Sequence, residues 1–242
     1  MVSARQLYNE FLRRYSAVRS SNSNRDLNVV DICSYLNEGL SIFFENRAQS
    51  YEEQSFNRNE LRQLEVKSLV LKPADTKKDY YVFEFPKSYY KLLRAEALAT
   101  RETCGDKILS VRLVRTNALN NLLKDPFWKP SYQYEETFGD EGDQGLYVYY
   151  DREDFTVKEL IIDYLRHPQE IHCPSCMKKD EVYETYDGKV IKKDSGLELT
   201  ATDSKRKVVD LAVLCALRDT GQVDDYTSQL NKILQTETIF LS

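Results

Sequence analysis

The stretch of this chain with the densest potential chemistry is His172-Cys173-Pro174-Ser175-Cys176. Two cysteines spaced C-x-x-C can present two thiolates to one metal ion or close a disulfide. A structural zinc needs four ligands, and this stretch offers Cys173, Cys176 and, as a third, His172. No second C-x-x-C and no H-x-x-x-H follows in the chain. Completion would therefore draw on Cys104, on a carboxylate such as Asp180, or on another subunit. A redox use expects the motif to open a helix after a strand, a context the sequence does not display. The third reading, a cysteine-containing loop with no cofactor, is the plainest of the three.

Other catalytic constellations are thin. The chain has two histidines, His167 and His172, so a nucleophilic Ser or Cys has few bases to choose from. His167 precedes Pro168 in an irregular stretch and reads as a solvated loop residue. No G-x-G-x-x-G, G-x-x-x-x-G-K-[ST], H-E-x-x-H or G-x-S-x-G motif occurs, and there are only eight glycines to build phosphate cradles. The acidic run Phe138-Gly139-Asp140-Glu141-Gly142-Asp143 lacks the alternating acidic pattern and distal Glu of a calcium loop. It reads as a solvated loop. These absences point away from an enzyme.

Composition narrows the class further. With 41% hydrophobic and 30% charged residues in 242, the chain matches an ordinary globular protein with a sizeable core. A net charge of −5 argues against nucleic-acid binding over the whole surface. Lys178-Lys179, Lys192-Lys193 and Lys205-Arg206-Lys207 are short, separated and not interleaved with aromatics as a single-strand track requires. The 17 tyrosines suit strands and protein interfaces. No apolar run approaches the roughly 20 residues that span a bilayer, and the N-terminus lacks a signal-peptide core. Five cysteines without framework spacing agree with a reducing compartment. Cys33 and Cys215 fall on apolar helical stripes, and Cys104 falls near a turn.

The elements that must position these residues run helix-rich, strand-rich, then helical. Helices are expected over 3–19, 29–47 and 57–65, the second with Ile32, Leu36, Leu40 and Phe43 on its apolar stripe. Strands follow at 67–71, 80–86, 89–103 and 108–114, with a turn at Gly105-Asp106. The stretch 89–103 has helix-forming residues, but the turn and return strand after it favour β. Thr116 caps a short helix to Lys124, ended by Asp125-Pro126. Further strands are expected at 132–137, 145–150 and 157–165, then an irregular region and helices at 203–218 and 224–235.

The fold class is therefore α+β: a helical bundle of N-terminal helices plus two C-terminal helices, with a mostly antiparallel β-sheet or sandwich inserted between them. The expected parts are 1–67 helical, 68–172 β-rich, 173–202 irregular, and 203–242 helices and tail.

The order of elements and three local patterns carry a resemblance. These are D-I-x-x-Y-L-N-E over Asp31–Glu38, F-x-R-x-E-L-R over Phe56–Arg62, and I-D-Y-L-R-H-P-Q-E-I over Ile162–Ile171. Together with the segments TNALNNLLKDPFWKP and KRKVVDLAVLCALRD, they make the chain resemble the head-to-tail connector, or adaptor-ring, proteins of tailed bacteriophages. The ring proteins of crAss-like podoviruses are the nearest likeness, and the resemblance covers about residues 7–236. The HCPSC stretch has no place in that pattern.

The resemblance implies a structural virion protein made in the bacterial cytoplasm and used at the head-tail junction, with no enzymatic activity and no cofactor. It implies a closed ring of about twelve copies between portal and tail, since heterologous contacts close when rotation permits. Its partners would be other copies of itself, the portal, neighbouring tail proteins, and genomic DNA passing without specific binding. Acidic Glu135, Glu136, Asp140, Glu141 and Asp143 are the expected channel-facing residues, because a channel that DNA slides through should not grip phosphates. Tyr51, Glu52 and Glu53 at the bend after the second helix, and apolar Ile239, Phe240 and Leu241 in the tail, are the expected subunit or portal contacts. The alternative is a small zinc-binding module for nucleic-acid processing or regulation, built on His172, Cys173 and Cys176.

Overall fold

The computed structural model describes residues 2–18, 27–52, 55–102, 104–125, 129–179, 181–199, 202–222 and 224–231. Glu53, Asp180, Ile239, Phe240 and Leu241 lie outside these described residues. The fold is mixed α and β with a mostly antiparallel sheet, and the chain divides into two compact units. One comprises 1–63 together with 168–242, and the other comprises 64–167.

The first unit is built on helices α1 (Ala4–Val18), α2 (Val29–Gln49), α3 (Ser55–Leu61) and α5 (Thr202–Asp219), and residues 224–231 are also helical. Helix α2 begins with a capping box: the Asn28 side chain accepts from the Asp31 N–H, and the Asp31 carboxylate accepts from the Asn28 N–H. Its buried stripe repeats at Ile32, Leu36, Leu40 and Phe43, joined by Val29, Cys33 and Phe44. Helix α1 buries Leu7, Phe11 and Tyr15, and Phe11 stacks on Tyr35 with 6.5 Å between ring centroids. Helix α5 is deeply enclosed, with Val208, Val209, Ala212, Val213, Ala216 and Leu217 all fully buried. It lies against α2 at Gly39, where an added Cβ would stand 2.6 Å from the Val208 carbonyl oxygen and 2.7 Å from the Ala212 nitrogen.

The third helix is shorter than its sequence suggests. It ends at Leu61, a 3-10 turn covers Arg62–Leu64, and strand β1 begins at Glu65. Tyr51, expected on an exposed corner, is 2% exposed, with the Arg58 guanidinium 5.8 Å from its ring centroid. The apolar ring is worth more buried than a hydrated bend would gain from it. Glu52 beside it is exposed.

The second unit holds one eight-stranded sheet: β1 (Glu65–Leu71), β2 (Asp75–Thr76), β3 (Tyr80–Phe83), β4 (Tyr89–Arg101), β5 (Gly105–Leu113), β6 (Glu136–Gly142), β7 (Gly145–Tyr149) and β8 (Thr156–Arg166), with helix α4 (Thr116–Lys124) between β5 and β6. The strand order is β1-β8-β4-β5-β6-β7-β3-β2. Every pairing is antiparallel except β5 with β6, the pair whose connection includes α4, as a parallel crossover requires. The longest pair, β4 with β8, has register shifts after Tyr89, Leu92 and Leu98, and such bulges bend a strand and increase its twist.

Strand β4 resolves the ambiguity of 89–101 in favour of β. Its alanines at 95, 97 and 99 point into a core with Leu109, Leu146, Val148, Leu160 and Ile162, while Arg94 and Glu96 pair on the other face. Burial at period two outweighs the helix preference of alanine and leucine.

Two expectations fail around residue 135. Residues 132–135 form a turn, and Glu135 has left-handed backbone at φ 58°, which interrupts the strand expected at 132–137. The acidic stretch 138–143 is not a loop but most of β6 and its turn. Thr137 and Phe138 are buried, and Gly139 is so close to its neighbours that a Cβ would meet the Val111 side chain at 2.8 Å. Pairing with β5 up to Gly139 and with β7 from Gly139 to Gly142 gives its backbone partners that a solvated loop would lack.

Among the described residues, no helix is long and apolar enough to cross a membrane.

Candidate functional site

Three places collect the residues singled out by sequence. The first lies in the helical unit, where segment 168–199 is fastened alongside α2. Cys33 and Asn37 are one turn apart on that helix and thus share a face. Asn37 Nδ2 donates to the Ile171 carbonyl at 3.0 Å, and Asn37 Oδ1 accepts from the Ile171 N–H at 2.7 Å. Next in the chain, His172 exchanges both backbone bonds with Ser195, at 3.0 and 2.9 Å. The segment therefore behaves as a short extra strand held at two successive residues.

Cys173 and Cys176 are joined as a disulfide across the 3-10 turn Pro174–Cys176. Cys173 is fully buried and Cys176 half-buried. The sulfurs are bonded to each other, so Cys173 and Cys176 of the alternative zinc reading present no thiolates in this structure. His172 is occupied otherwise: Nδ1 lies 3.3 Å from the Tyr183 hydroxyl and Nε2 lies 3.2 Å from Glu170. Among the described residues, no three His, Cys, Asp or Glu side chains converge as a metal site would need. Ser175 is tied to Asp194 through its N–H at 3.0 Å and its hydroxyl at 2.5 Å, and Arg5 of α1 donates to the Ser175 carbonyl at 2.7 Å.

Cys33 reaches the same place from below. Its thiol contacts the Cys173 backbone amide and the Tyr183 hydroxyl, and burial pushes its pKa up. Burial, followed by the nearby Cys33, also raises Tyr183. Both groups therefore remain protonated and neutral at neutral pH. Cys215, on α5, is buried too, and desolvation followed by the Glu38 carboxylate pushes it up to about 12. Cys104 is exposed.

The second place is the buried charge cluster around Glu60. This α3 carboxylate is 5% exposed, pairs with Arg47 of α2 at 2.9 Å and Lys207 of α5 at 3.8 Å, and accepts from the Ser204 hydroxyl at 3.4 Å. One carboxylate thus joins three helices. Sequence reasoning passed over Asn37 and Glu60. The available signal was a polar residue at an apolar stripe spacing, next to Leu36 or Leu61.

The third place is the acidic strand β6 in the sheet unit. Glu135 pairs with Lys107 at 2.7 Å and Glu136 with Arg112 at 3.8 Å. Glu141 accepts from the Tyr89 hydroxyl at 3.1 Å, and Asp143 accepts from the Tyr147 hydroxyl at 2.6 Å. These contacts raise the tyrosines: Tyr89 chiefly through burial with Glu141 adding, and Tyr147 chiefly through the bond to Asp143. Glu141 and Asp143 are exposed, and Asp140 is half-buried. An open cleft of about 670 Å³ borders the β6–β7 turn, lined by Asp75, Glu84, Phe85, Asp143 and Gln144 among others. The five acidic residues predicted for a channel therefore divide into two neutralised by cations and a trio near the turn.

No protein-family model and no curated protein matches this chain.

Proposed function

We propose that the chain is a subunit of a phage head-to-tail connector, forming a ring of about twelve copies between portal and tail. The observation that carries this reading is that residues from the patterns behind the resemblance meet in the helical unit. Asn37 of D-I-x-x-Y-L-N-E holds Ile171 of I-D-Y-L-R-H-P-Q-E-I, and Glu60 of F-x-R-x-E-L-R joins Arg47 and Lys207. Patterns that lock one another are the part of a sequence a shared fold would keep. In this reading the helices from both chain ends form one bundle, and the sheet is a domain inserted into it.

Its work is mechanical rather than catalytic. The bundle is a rigid body whose flanks contact neighbouring copies, and the DNA channel is lined by groups that do not bind phosphate. Asp140, Glu141 and Asp143 are the residues assigned to that lining, because they gather at the end of β6 beside the turn to β7, with Glu141 and Asp143 exposed. Lysine or arginine there would exchange counterions with passing DNA and hold it. The tail residues Ile239, Phe240 and Leu241 dock on the portal or a neighbour. The protein acts in the virion, and zinc and other cofactors have no part in the reading.

The test is co-expression with a tailed-phage portal protein, followed by native mass spectrometry and negative-stain microscopy. A closed ring stacked on the portal is expected. A chain that stays monomeric beside an assembled portal overturns the proposal. Removal of the residues after Glu237 should weaken that attachment.

A further inference from the structure

The bridge between Cys173 and Cys176 does little as a staple. Its sequence separation is 3, and the entropy removed from an unfolded chain by a cross-link grows with the loop it closes. The surrounding segment is already fastened without it, by Asn37 on Ile171, by the His172–Ser195 pair, and by Asp194 and Arg5 on Ser175. The two sulfurs also differ in access. Cys173 is fully buried above Cys33, whereas Cys176 is half-buried beside the exposed Ser175.

We propose that Cys173–Cys176 is a thiol–disulfide exchange centre, attacked at Cys176 by a small dithiol and released through Cys173. The dithiol's thiolate bonds to Cys176 Sγ, the S–S bond breaks, and its electron pair departs on Cys173 Sγ, which takes up a proton. The second thiolate of the dithiol then attacks its own sulfur in the mixed disulfide. That step expels Cys176, which is protonated in turn. Two electrons and two protons reach the protein, and the dithiol leaves as a cyclic disulfide. Ser175 Oγ, 3.7 Å from Cys173 Sγ, can turn its hydroxyl from Asp194 toward the departing sulfur. Cys33, at 1% exposure, is shielded from the reagent and takes no part in the exchange. This centre is independent of the connector reading.

The experiment uses the purified full chain in mixtures of reduced and oxidised dithiothreitol of increasing reducing strength. Samples are quenched with acid, unfolded, alkylated with N-ethylmaleimide and weighed intact. Before reduction, three alkylated cysteines are expected: Cys33, Cys104 and Cys215. Reduction should raise the count to all five cysteines of the chain in one step while the circular dichroism spectrum is unchanged. Cys33→Ala should gain the same two, and Cys176→Ala should gain none. Five alkylated cysteines before any reductant would overturn the proposal. So would reduction that appears only as the spectrum is lost, because the bridge would then be a structural staple.

Discussion

Asn37 grips Ile171 with both ends of its amide, donating to the carbonyl at 3.0 Å and accepting from the N–H at 2.7 Å. A helix side chain thereby imitates the neighbouring strand of a sheet. Ile171 itself is fully buried, so neither of its backbone groups has water as a substitute partner. The pairing fixes where the chain re-enters the helical unit, and it sets the depth at which His172 and Cys173 follow.

Replacing Asn37 with Ala should strand both Ile171 groups. An unsatisfied buried backbone group costs about 1–3 kcal/mol. We expect about 2 kcal/mol of lost stability, read as a lower urea midpoint with an unchanged slope. An unshifted midpoint would show that the clamp is dispensable.

Glu60 is the common partner of Arg47 and Lys207. Its side chain is 3% exposed, and theirs are 20% and 22% exposed, so removing the carboxylate leaves two cations poorly solvated. Glu60→Ala should cost about 3 kcal/mol, the lower end of the range for breaking a buried ion pair. Glu60→Gln, which keeps shape and the Ser204 contact, should cost less. Thermal unfolding of the two variants gives the ranking.

Gly39 is a contact point rather than a hinge. A methyl group there would press on the α5 backbone at Val208 and Ala212, and backbone cannot rotate away as a side chain can. Gly39→Ala should therefore lose about 1–3 kcal/mol by overpacking, even though alanine favours helix. A stabilised variant would mean that α2 and α5 separate more easily than their packing suggests.

Glu10 on α1 carries a pH dependence. Hydrogen bonding from Arg13, with Arg14 adding, holds its carboxyl down at about 2 against an ordinary 4.5. A carboxyl depressed on folding adds stability that is complete above its unfolded value and lost as pH falls through its folded value. Wild-type stability should thus fall relative to Glu10→Gln between about pH 4.5 and 2 and differ from it by a constant amount above that range. Denaturant titrations of both proteins at several pH values measure this directly, and parallel curves throughout would refute it.

Several elements were legible because their cause is local. Helix α2 declares itself through a stripe at Ile32, Leu36, Leu40 and Phe43, all buried, and α4 spans the 116–124 that its sequence suggests. The β4–β5 hairpin follows from Gly105, whose φ of 82° suits glycine. The acidic strand was illegible for the opposite reason. Gly139-Asp140-Glu141-Gly142 has loop composition, and only its pairing with β7, continuing a strand whose first half pairs with β5, makes it extended. Tyr51 was misplaced similarly, since a polar bend says nothing of what packs beneath it.

The candidate site divides along the same line. Sequence alone determined that Cys173 and Cys176 stand at a spacing able to bridge, that catalytic bases are scarce, and that helices flank a strand-rich middle. Periodicity and short-range covalent geometry decide such properties within a few residues. Only the tertiary structure brought Cys33 beneath Cys173, Asn37 onto Ile171, and Glu60 between Arg47 and Lys207. Those contacts join residues far apart in the chain. They exist because polar groups carried into a core must find partners there, and which partners are near depends on how the helices pack.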